Sequence, residues 1–484
     1  MKGTEPTVTT VIKYTRFEQN SLRTGAVAQA AIPAEPVTLP QASLTNIAST
    51  EQLHPIVIIL LVSIALPVYF NIGPLRLSPN RLILLIAFFP VTLRWLSGAA
   101  GPWRMADFCV IGLCVWGAIA MFVSAGTTTI QFSGITTLET FGAYMTGRAY
   151  IRTERQYTTA IRLLGMIVLL LVPGTIIESL TGLRVYNNLF DPVFQTFRWS
   201  GYEPRMHLFR AQAVFEHSIL FGVFTAFCFA PILANMRTNS GRAKAWIQSS
   251  PVLVATFFSL STGAYLGLMV QLFLMFWGVT LRKIRYCWWL LGTLVILAYV
   301  VVDAISNRTP FQVFSSYVAF DEHNAYWRVL IFRFGMENVW EHPLFGLGAF
   351  VNEWKRPDFM VTSTVDNFWL VFALTYGIPG FLLIFGTYTV VLTRLMRANL
   401  TSPQLQRHRN ALVFSFIGLG IAIGTVHLWN ATFVFIMFMM GAAAWFSDVQ
   451  PEDHISPDPD AAADGTVRRV SDRTRSFARR SPAR

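Results

Sequence analysis

The chain has 484 residues, of which 53% are hydrophobic and only 13% are charged. Soluble domains carry about a quarter charged residues, so this composition excludes an ordinary soluble protein. The net charge of +12 is concentrated in short connections and in the last seventeen residues, which hold seven arginines. This distribution indicates membrane topology and contact with anionic lipids, and it argues against nucleic-acid binding.

Apolar segments of about the length needed to cross roughly 30 Å of hydrocarbon recur between residues 54 and 446. We predict one polytopic all-α membrane domain there, preceded by a disordered cytoplasmic arm (1–53) and followed by a disordered basic cytoplasmic tail (447–484). About twelve transmembrane helices are predicted, at residues 55–71, 82–97, 106–124, 133–149, 159–178, 212–235, 248–260, 264–281, 287–303, 367–392, 411–427 and 430–446. The sequence Gly377-Ile378-Pro379-Gly380 predicts a kink in the tenth span.

Basic residues are distributed unequally between the two sides that this alternation defines. The short connections on one side hold 14 basic residues, and those on the other side hold Arg76 and Arg81. The positive-inside rule therefore predicts that both termini are cytoplasmic. Two longer segments, 179–211 and 304–366, are then expected on the opposite, outer side.

The longer outer segment contains a predicted amphipathic helix over 326–341, which ends at His342-Pro343 and a Gly-x-Gly turn. Arg333 and Glu337 are spaced for an i,i+4 ion pair. Arg328 has no acidic residue three or four positions away, so it is the better candidate for gripping a phosphate.

Four motifs occur in order between about residues 205 and 395. They are Arg210-Ala211-Gln212-Ala213-Val214-Phe215-Glu216-His217-Ser218, the Phe257–Ala264 junction, Arg328 followed fifteen residues later by Pro343-Leu344-Phe345-Gly346-Leu347-Gly348, and Asp366-Asn367-Phe368-Trp369-Leu370 with Tyr376–Gly380. Together with the span count and the long loop before span ten, they resemble the core of the O-antigen ligase and polymerase superfamily.

The resemblance implies a GT-C-like membrane glycosyltransferase in the inner membrane. Such an enzyme transfers a glycan from an undecaprenyl-pyrophosphate carrier to an acceptor hydroxyl on the periplasmic side, with no cofactor and no metal. Membrane lipids, a chain-length regulator and an export complex are the further partners it implies. Arg210 and Arg328 would bind and stabilise the pyrophosphate, with Arg333, His217 and His323 as further substrate-binding candidates, and Asp366 would act on the attacking hydroxyl.

Departures from the family pattern favour the polymerase or exopolysaccharide branch over a ligase acting on lipid A-core. Family members usually carry Gly and often Pro where this chain has Ala213 and Ser218. Ligases commonly have Arg where this chain has Thr262, and His where it has Asp366. A transporter or flippase of lipid-linked oligosaccharide, or a non-catalytic assembly partner, are the alternatives from other classes.

Each candidate also has a structural interpretation. Arg210 could reach lipid headgroups, and Asp366 could be only a helix N-cap. The intramembrane acids Glu139 and Glu216 could pair with Arg148 or Arg210. His217, His323 and His342 are alternative bases.

Overall fold

The structure, a computed structural model, describes residues 52–73, 75–197, 204–307, 313, 322–360 and 363–449, with only the backbone of residues 239 and 322–325. The predicted arm up to residue 51 and the predicted tail from residue 450 lie outside the described residues.

The described chain is helical apart from three short strands. Its elements are α1 (Pro55–Ile64), β1 (Val68–Ile72), β2 (Leu75–Leu77), α2 (Pro79–Leu96), α3 (Met105–Ala125), α4 (Ile130–Thr137), α5 (Ala143–Tyr150), α6 (Glu154–Thr181), α7 (Val185–Phe190), β3 (Gln195–Thr196), α8 (Ser218–Asn239), α9 (Arg242–Phe258), α10 (Thr262–Thr280), α11 (Cys287–Ile305), α12 (Glu322–Glu341), α13 (Phe368–Arg397), α14 (Pro403–Ala422) and α15 (Asn430–Ala442). A π-helical turn, Leu138–Gly142, joins α4 to α5.

Eight helices in the described part of the chain are long and apolar enough to cross a bilayer. The prediction of an all-α, multi-pass membrane protein is confirmed. The helices at the remaining predicted spans are shorter, as α1 and α9 are, or begin with a polar sequence, as α14 does. The number of twelve spans therefore stays a prediction.

The prediction that residues 55–71 form one span is wrong. Helix α1 ends at Ile64, and its ten residues extend only about 15 Å. Pro67 follows, and a proline disfavours helical backbone at the residue before it. The chain then enters β1, which pairs antiparallel with β2 and with β3 in a small three-stranded sheet.

The predicted kink in the tenth span is confirmed, and it anchors α12 to α13. Gly377 has φ 71° and ψ −176°, and a Cβ there would lie 2.0 Å from the carbonyl oxygen of Leu344. Glycine is therefore required both by the backbone angle and by the close approach. The break frees the amide of Ile378 to donate to the carbonyl of Pro343 (2.8 Å), which fixes the turn that ends α12.

Charged residues from connections that were predicted to be cytoplasmic meet in one buried cluster. Arg148 is fully buried, with its Nε 3.6 Å from Asp107 and its Nη1 3.7 Å from Asp448. Arg104 and Arg152 also contact Asp448. The hypothesis that Arg148 pairs with Glu139 is wrong, because Arg148 is held at this cluster instead.

Candidate active site

A cavity of about 1560 Å³ opens among the connections that were predicted to be periplasmic. Its walls come from all six of these connections or from the helix turns beside them. The residues used below that line it are Arg81, Glu139, Arg205, Arg210, His217, Thr262, Arg328, Asp366, His427, Trp429 and Asn430.

Arg210 lies in the loop before α8, and the carboxylate of Glu178 in α6 holds that loop. The backbone amides of Gln212 and Ala213 donate to Glu178 at 3.1 and 2.9 Å. Ala213 has φ 49°, a left-handed backbone that favours glycine. Glycine, which the family resemblance would place here, adopts this backbone without strain. The loop fixes the backbone of Arg210, whose side chain is largely buried in the cavity wall.

Arg205 belongs to the same cavity and was not predicted as a site residue. Its Nη1 donates to the carbonyl of Leu260 at 3.1 Å. Leu260 has φ 46° in the tight turn between α9 and α10, which falls between the predicted spans 248–260 and 264–281. Arg205 therefore attaches the loop before α8 to this turn.

Arg328 projects into the cavity from the first half of α12. This helix packs closely on α13, where a Cβ on Gly335 would lie 2.8 Å from the side chain of Leu370. The Nη1 atom of Arg328 is buried and has no hydrogen-bond partner among the described residues. Burial lowers the pKa of Arg328; nearby Arg205 adds to this effect and Asp366 opposes it. A buried guanidinium nitrogen without a partner is suited to an anionic ligand.

Asp366 lies two residues before α13 and is not its N-cap. Asn367 takes that role, since its Oδ1 accepts from the amide of Leu370 at 3.1 Å. The amide of Phe368 donates to the carbonyls of Ile423 and Val426, which pins this segment to the connection before α15. The hypothesis that Asp366 serves only as a cap is therefore wrong.

The Asp366 carboxylate is open to the cavity but is surrounded by protein on its other sides. This desolvation raises the pKa of Asp366 above its ordinary value, although Arg328 and Arg210 both oppose the shift. The three arginines Arg205, Arg210 and Arg328 outnumber this one carboxylate, so the cavity around them favours an anion.

His217 lines the cavity as the N-cap of α8, where its Nδ1 accepts from the amide of Ile219 at 3.0 Å. Burial, together with the charges of Arg210 and Arg205, lowers the pKa of His217 to about 4. Its ring is therefore neutral near pH 7. A neutral capping histidine can contact a substrate hydroxyl without adding charge.

The remaining sequence candidates are placed differently. Arg333 is largely exposed, does not line the cavity, and forms the predicted ion pair with Glu337 at 3.8 Å. His342 is also exposed and outside the cavity lining. The backbone of His323 lies in the first turn of α12, and its side chain lies outside the described residues.

The two acids suspected from the sequence pair with arginines that were counted only as topology signals. Glu139 accepts from Arg81 Nε at 2.7 Å, and Arg81 Nη2 donates to Asn430 at 2.9 Å. Glu216 lies 3.8 Å from Arg76 and also accepts from Asn430. The hypothesis that Glu216 pairs with Arg210 is therefore replaced by a pairing with Arg76.

His427 is a further cavity residue that was missed in the sequence. Its ring lies between those of Phe368 and Trp429, with centroids 5.9 and 5.7 Å away. Burial lowers the pKa of His427 to about 4. The sequence placed it as the last residue of the predicted eleventh span (411–427), whereas α14 ends at Ala422 and leaves it in the connection before α15. Over the described ranges, no group of three or more His, Cys, Asp or Glu side chains is placed to hold a metal ion.

Comparison with known proteins found one family and no matching curated protein. The segment that matches this family, residues 249–385, runs from α9 to the middle of α13. It therefore includes Arg328 and Asp366 and excludes Arg210. It points to ligase- or polymerase-type activity in surface polysaccharide assembly. Residues 249–385 match the family model described as O-antigen ligase, which is consistent with the O-antigen ligase and polymerase superfamily.

Proposed function

We propose that the protein is a glycosyltransferase that polymerises lipid-linked repeat units of a surface polysaccharide on the periplasmic face of the inner membrane. The observation that carries this proposal is the meeting of Arg210, Arg328 and Asp366 at one cavity, although they are far apart in sequence. The donor is an oligosaccharide on undecaprenyl pyrophosphate, and the acceptor is a hydroxyl of a second glycan.

Arg210 and Arg328 act on the leaving group. The bond between the anomeric carbon and the phosphate oxygen breaks, and its electron pair leaves with the pyrophosphate. Guanidinium groups that are fixed in a partly dry cavity stabilise this added negative charge without rearranging. The buried, unpartnered Nη1 of Arg328 supports this role, because a phosphate oxygen would satisfy it.

Asp366 acts on the acceptor. Its carboxylate takes the proton of the attacking hydroxyl while the oxygen of that hydroxyl bonds to the anomeric carbon. An aspartate with its ordinary pKa is a weak base, and the raised pKa of Asp366 makes it a stronger one. Asn367 already caps α13, so Asp366 is available for this chemistry.

A polymerase is favoured over a ligase by two residues on the cavity wall. Asp366 occupies the position where ligases of the superfamily carry His, and Thr262 the position where they commonly carry Arg. Transfer to lipid A-core by a ligase remains the alternative. Deleting the gene distinguishes the two: loss of a polymerase leaves single repeat units, whereas loss of a ligase leaves long chains on the carrier.

The proposal is tested with purified full-length protein in lipid vesicles that contain the lipid-linked repeat unit of the producing cell. We expect elongated glycan on the carrier, formed in EDTA and without any nucleotide. Carrier-linked glycan that is never elongated or transferred, with Mg²⁺ supplied or withheld, would contradict the proposal. Activity that is lost in EDTA and restored by Mg²⁺ would contradict the role assigned to the arginines.

A further inference from the structure

Two smaller cavities adjoin the large one and each other. The first, of about 170 Å³, shares Arg81 and Asn430 with the large cavity. The second, of about 510 Å³, lies against the three-stranded sheet and shares Tyr69 and Phe197 with the first. Because each cavity shares wall residues with the next, the three are neighbours in space.

The boundary between the large and the small cavity carries no excess charge. Arg81 is paired with Glu139, and Arg76, which lines the small cavity, is paired with Glu216. Asn430 donates to Glu216 and accepts from Arg81, so it ties the two pairs together. The large cavity, by contrast, has three arginines around one aspartate. The small cavity therefore suits an uncharged polar ligand rather than a phosphate.

Asn80 supplies an independent sign of a ligand. This residue in the first turn of α2 lines the small cavity and is only 3% exposed. Its amide nitrogen Nδ2 is buried and has no hydrogen-bond partner among the described residues. Buried amide donors are nearly always satisfied, and one that is not costs stability unless a bound group accepts from it.

The outer cavity combines aromatic and hydrogen-bonding walls. The rings of Tyr69 and Phe197 are stacked with centroids 5.8 Å apart. Asn71 donates to Gln195 across the sheet at 2.8 Å, and Thr196 lies beside them. Arg184 and Asp191 complete a lining that is mostly polar beside two aromatic rings, which fits the hydroxyl groups of a sugar.

We propose that the small and outer cavities bind the saccharide of a substrate, several sugars away from the bond that reacts. Asn80 donates to a sugar oxygen in the small cavity, and the Asn71–Gln195 edge contacts the next sugars outward. The inference rests on the proposed function only for the identity of the saccharide, because the binding itself can be measured without catalysis.

The binding test uses full-length protein in lipid nanodiscs and calorimetry. The probes are delipidated oligosaccharides of one, two and four repeat units, prepared from the surface polysaccharide of the producing cell. We expect affinity to rise with length as the outer cavity is filled. Asn80→Leu, which keeps the approximate size and removes the donor, should weaken binding about three- to ten-fold, the range for one net hydrogen bond.

Asn188→Leu is the matched control. Asn188 is exposed on α7, on the same outer face, and lines none of these cavities. Asn71→Ala is a second variant at an exposed position, in case Asn80→Leu does not insert. It should weaken binding of the four-unit oligosaccharide more than that of the single unit. If Asn80→Leu and Asn71→Ala bind all probes like Asn188→Leu, the inference is wrong.

Kinetics separate this inference from the proposed function. Oligosaccharide binding that is lost in Asn80→Leu, in a protein that transfers no glycan, would support the site and overturn the function. Glycan transfer with unchanged KM values in Asn80→Leu would support the function and overturn the site. Where the KM of only one substrate rises, donor or acceptor, that substrate's saccharide occupies the cavities.

Discussion

The proposed grip of Arg328 on the pyrophosphate can be tested by keeping its charge and changing its shape. Lysine retains the positive charge but loses the planar pair of donors that a guanidinium offers to a phosphate. The buried Nη1 of Arg328 has no partner in the described part of the protein, so Arg328→Lys removes a donor that only a ligand would use. A hydrogen bond to a charged group contributes about 1.5–3 kcal/mol. Arg328→Lys should therefore lower kcat/KM by about 10- to 150-fold.

The assay is elongation of the lipid-linked repeat unit in vesicles, with equal amounts of inserted protein. Arg333→Lys is the matched control, because Arg333 lies on the same helix but is largely exposed and paired with Glu337. Exposed pairs of this spacing contribute about 0.2–0.5 kcal/mol, so this variant should change the rate by about two-fold at most. Equal rates for Arg328→Lys and the wild type would refute the assignment of Arg328.

Three further predictions concern the pH dependence of the reaction, backbone strain at Ala213 and membrane topology. Asp366 must be ionised to accept a proton, and its pKa is raised above 3.8. When the pH is lowered, kcat/KM should therefore begin to fall at a higher pH than it would with an ordinary aspartate. A flat pH profile would contradict this prediction. Ala213→Gly should raise the free energy of unfolding by about 0.5–1 kcal/mol, because the backbone strain that it relieves at φ 49° exceeds the extra conformational entropy that a glycine loses on folding. A lower melting temperature would contradict this prediction. Reporter fusions at residue 340 should read periplasmic and those at 240 and 402 cytoplasmic; a cytoplasmic reading at 340 would place the site on the wrong side.

The alternation of spans predicted which connections lie together. Arg205, Arg210, Arg328 and Asp366 come from two connections assigned to one side, and all four line one cavity. Arg104, Arg148 and Arg152, assigned to the other side, meet at Asp448. Hydropathy and charge bias follow from the cost of placing polar groups in hydrocarbon, so they predict which connections share a side without any knowledge of packing.

Side-chain partners could not be predicted in the same way. Arg81 and Glu139 are 58 positions apart, and their pairing depends on how α2 packs beside the π-helical turn. The choice between Asp366 and Asn367 as the cap of α13 depends on backbone angles that the pattern does not encode. His427 was predicted to end the eleventh span, without a motif, and it reaches the cavity because α14 already ends at Ala422 and its ring packs against Phe368.

The prediction of the first span was wrong because of the local effect of one proline. Hydropathy remains high through residues 55–71, so hydropathy averaged over that length predicts one continuous helix across Pro67. The proline ends helical backbone there, and the following residues pair as strands. This break also creates the sheet whose face forms the outer cavity.

The central claim is that Asp366 takes the acceptor proton in an arginine-rich cavity, and one substitution tests it most directly. Asp366→Asn keeps the shape of the side chain but cannot accept the proton, and it leaves the cap by Asn367 in place. A general base contributes about 100- to 10,000-fold to the rate. Elongation of the lipid-linked repeat unit by Asp366→Asn should therefore fall at least about 100-fold, with normal membrane insertion and retained binding of the donor. Full activity of Asp366→Asn would contradict the account.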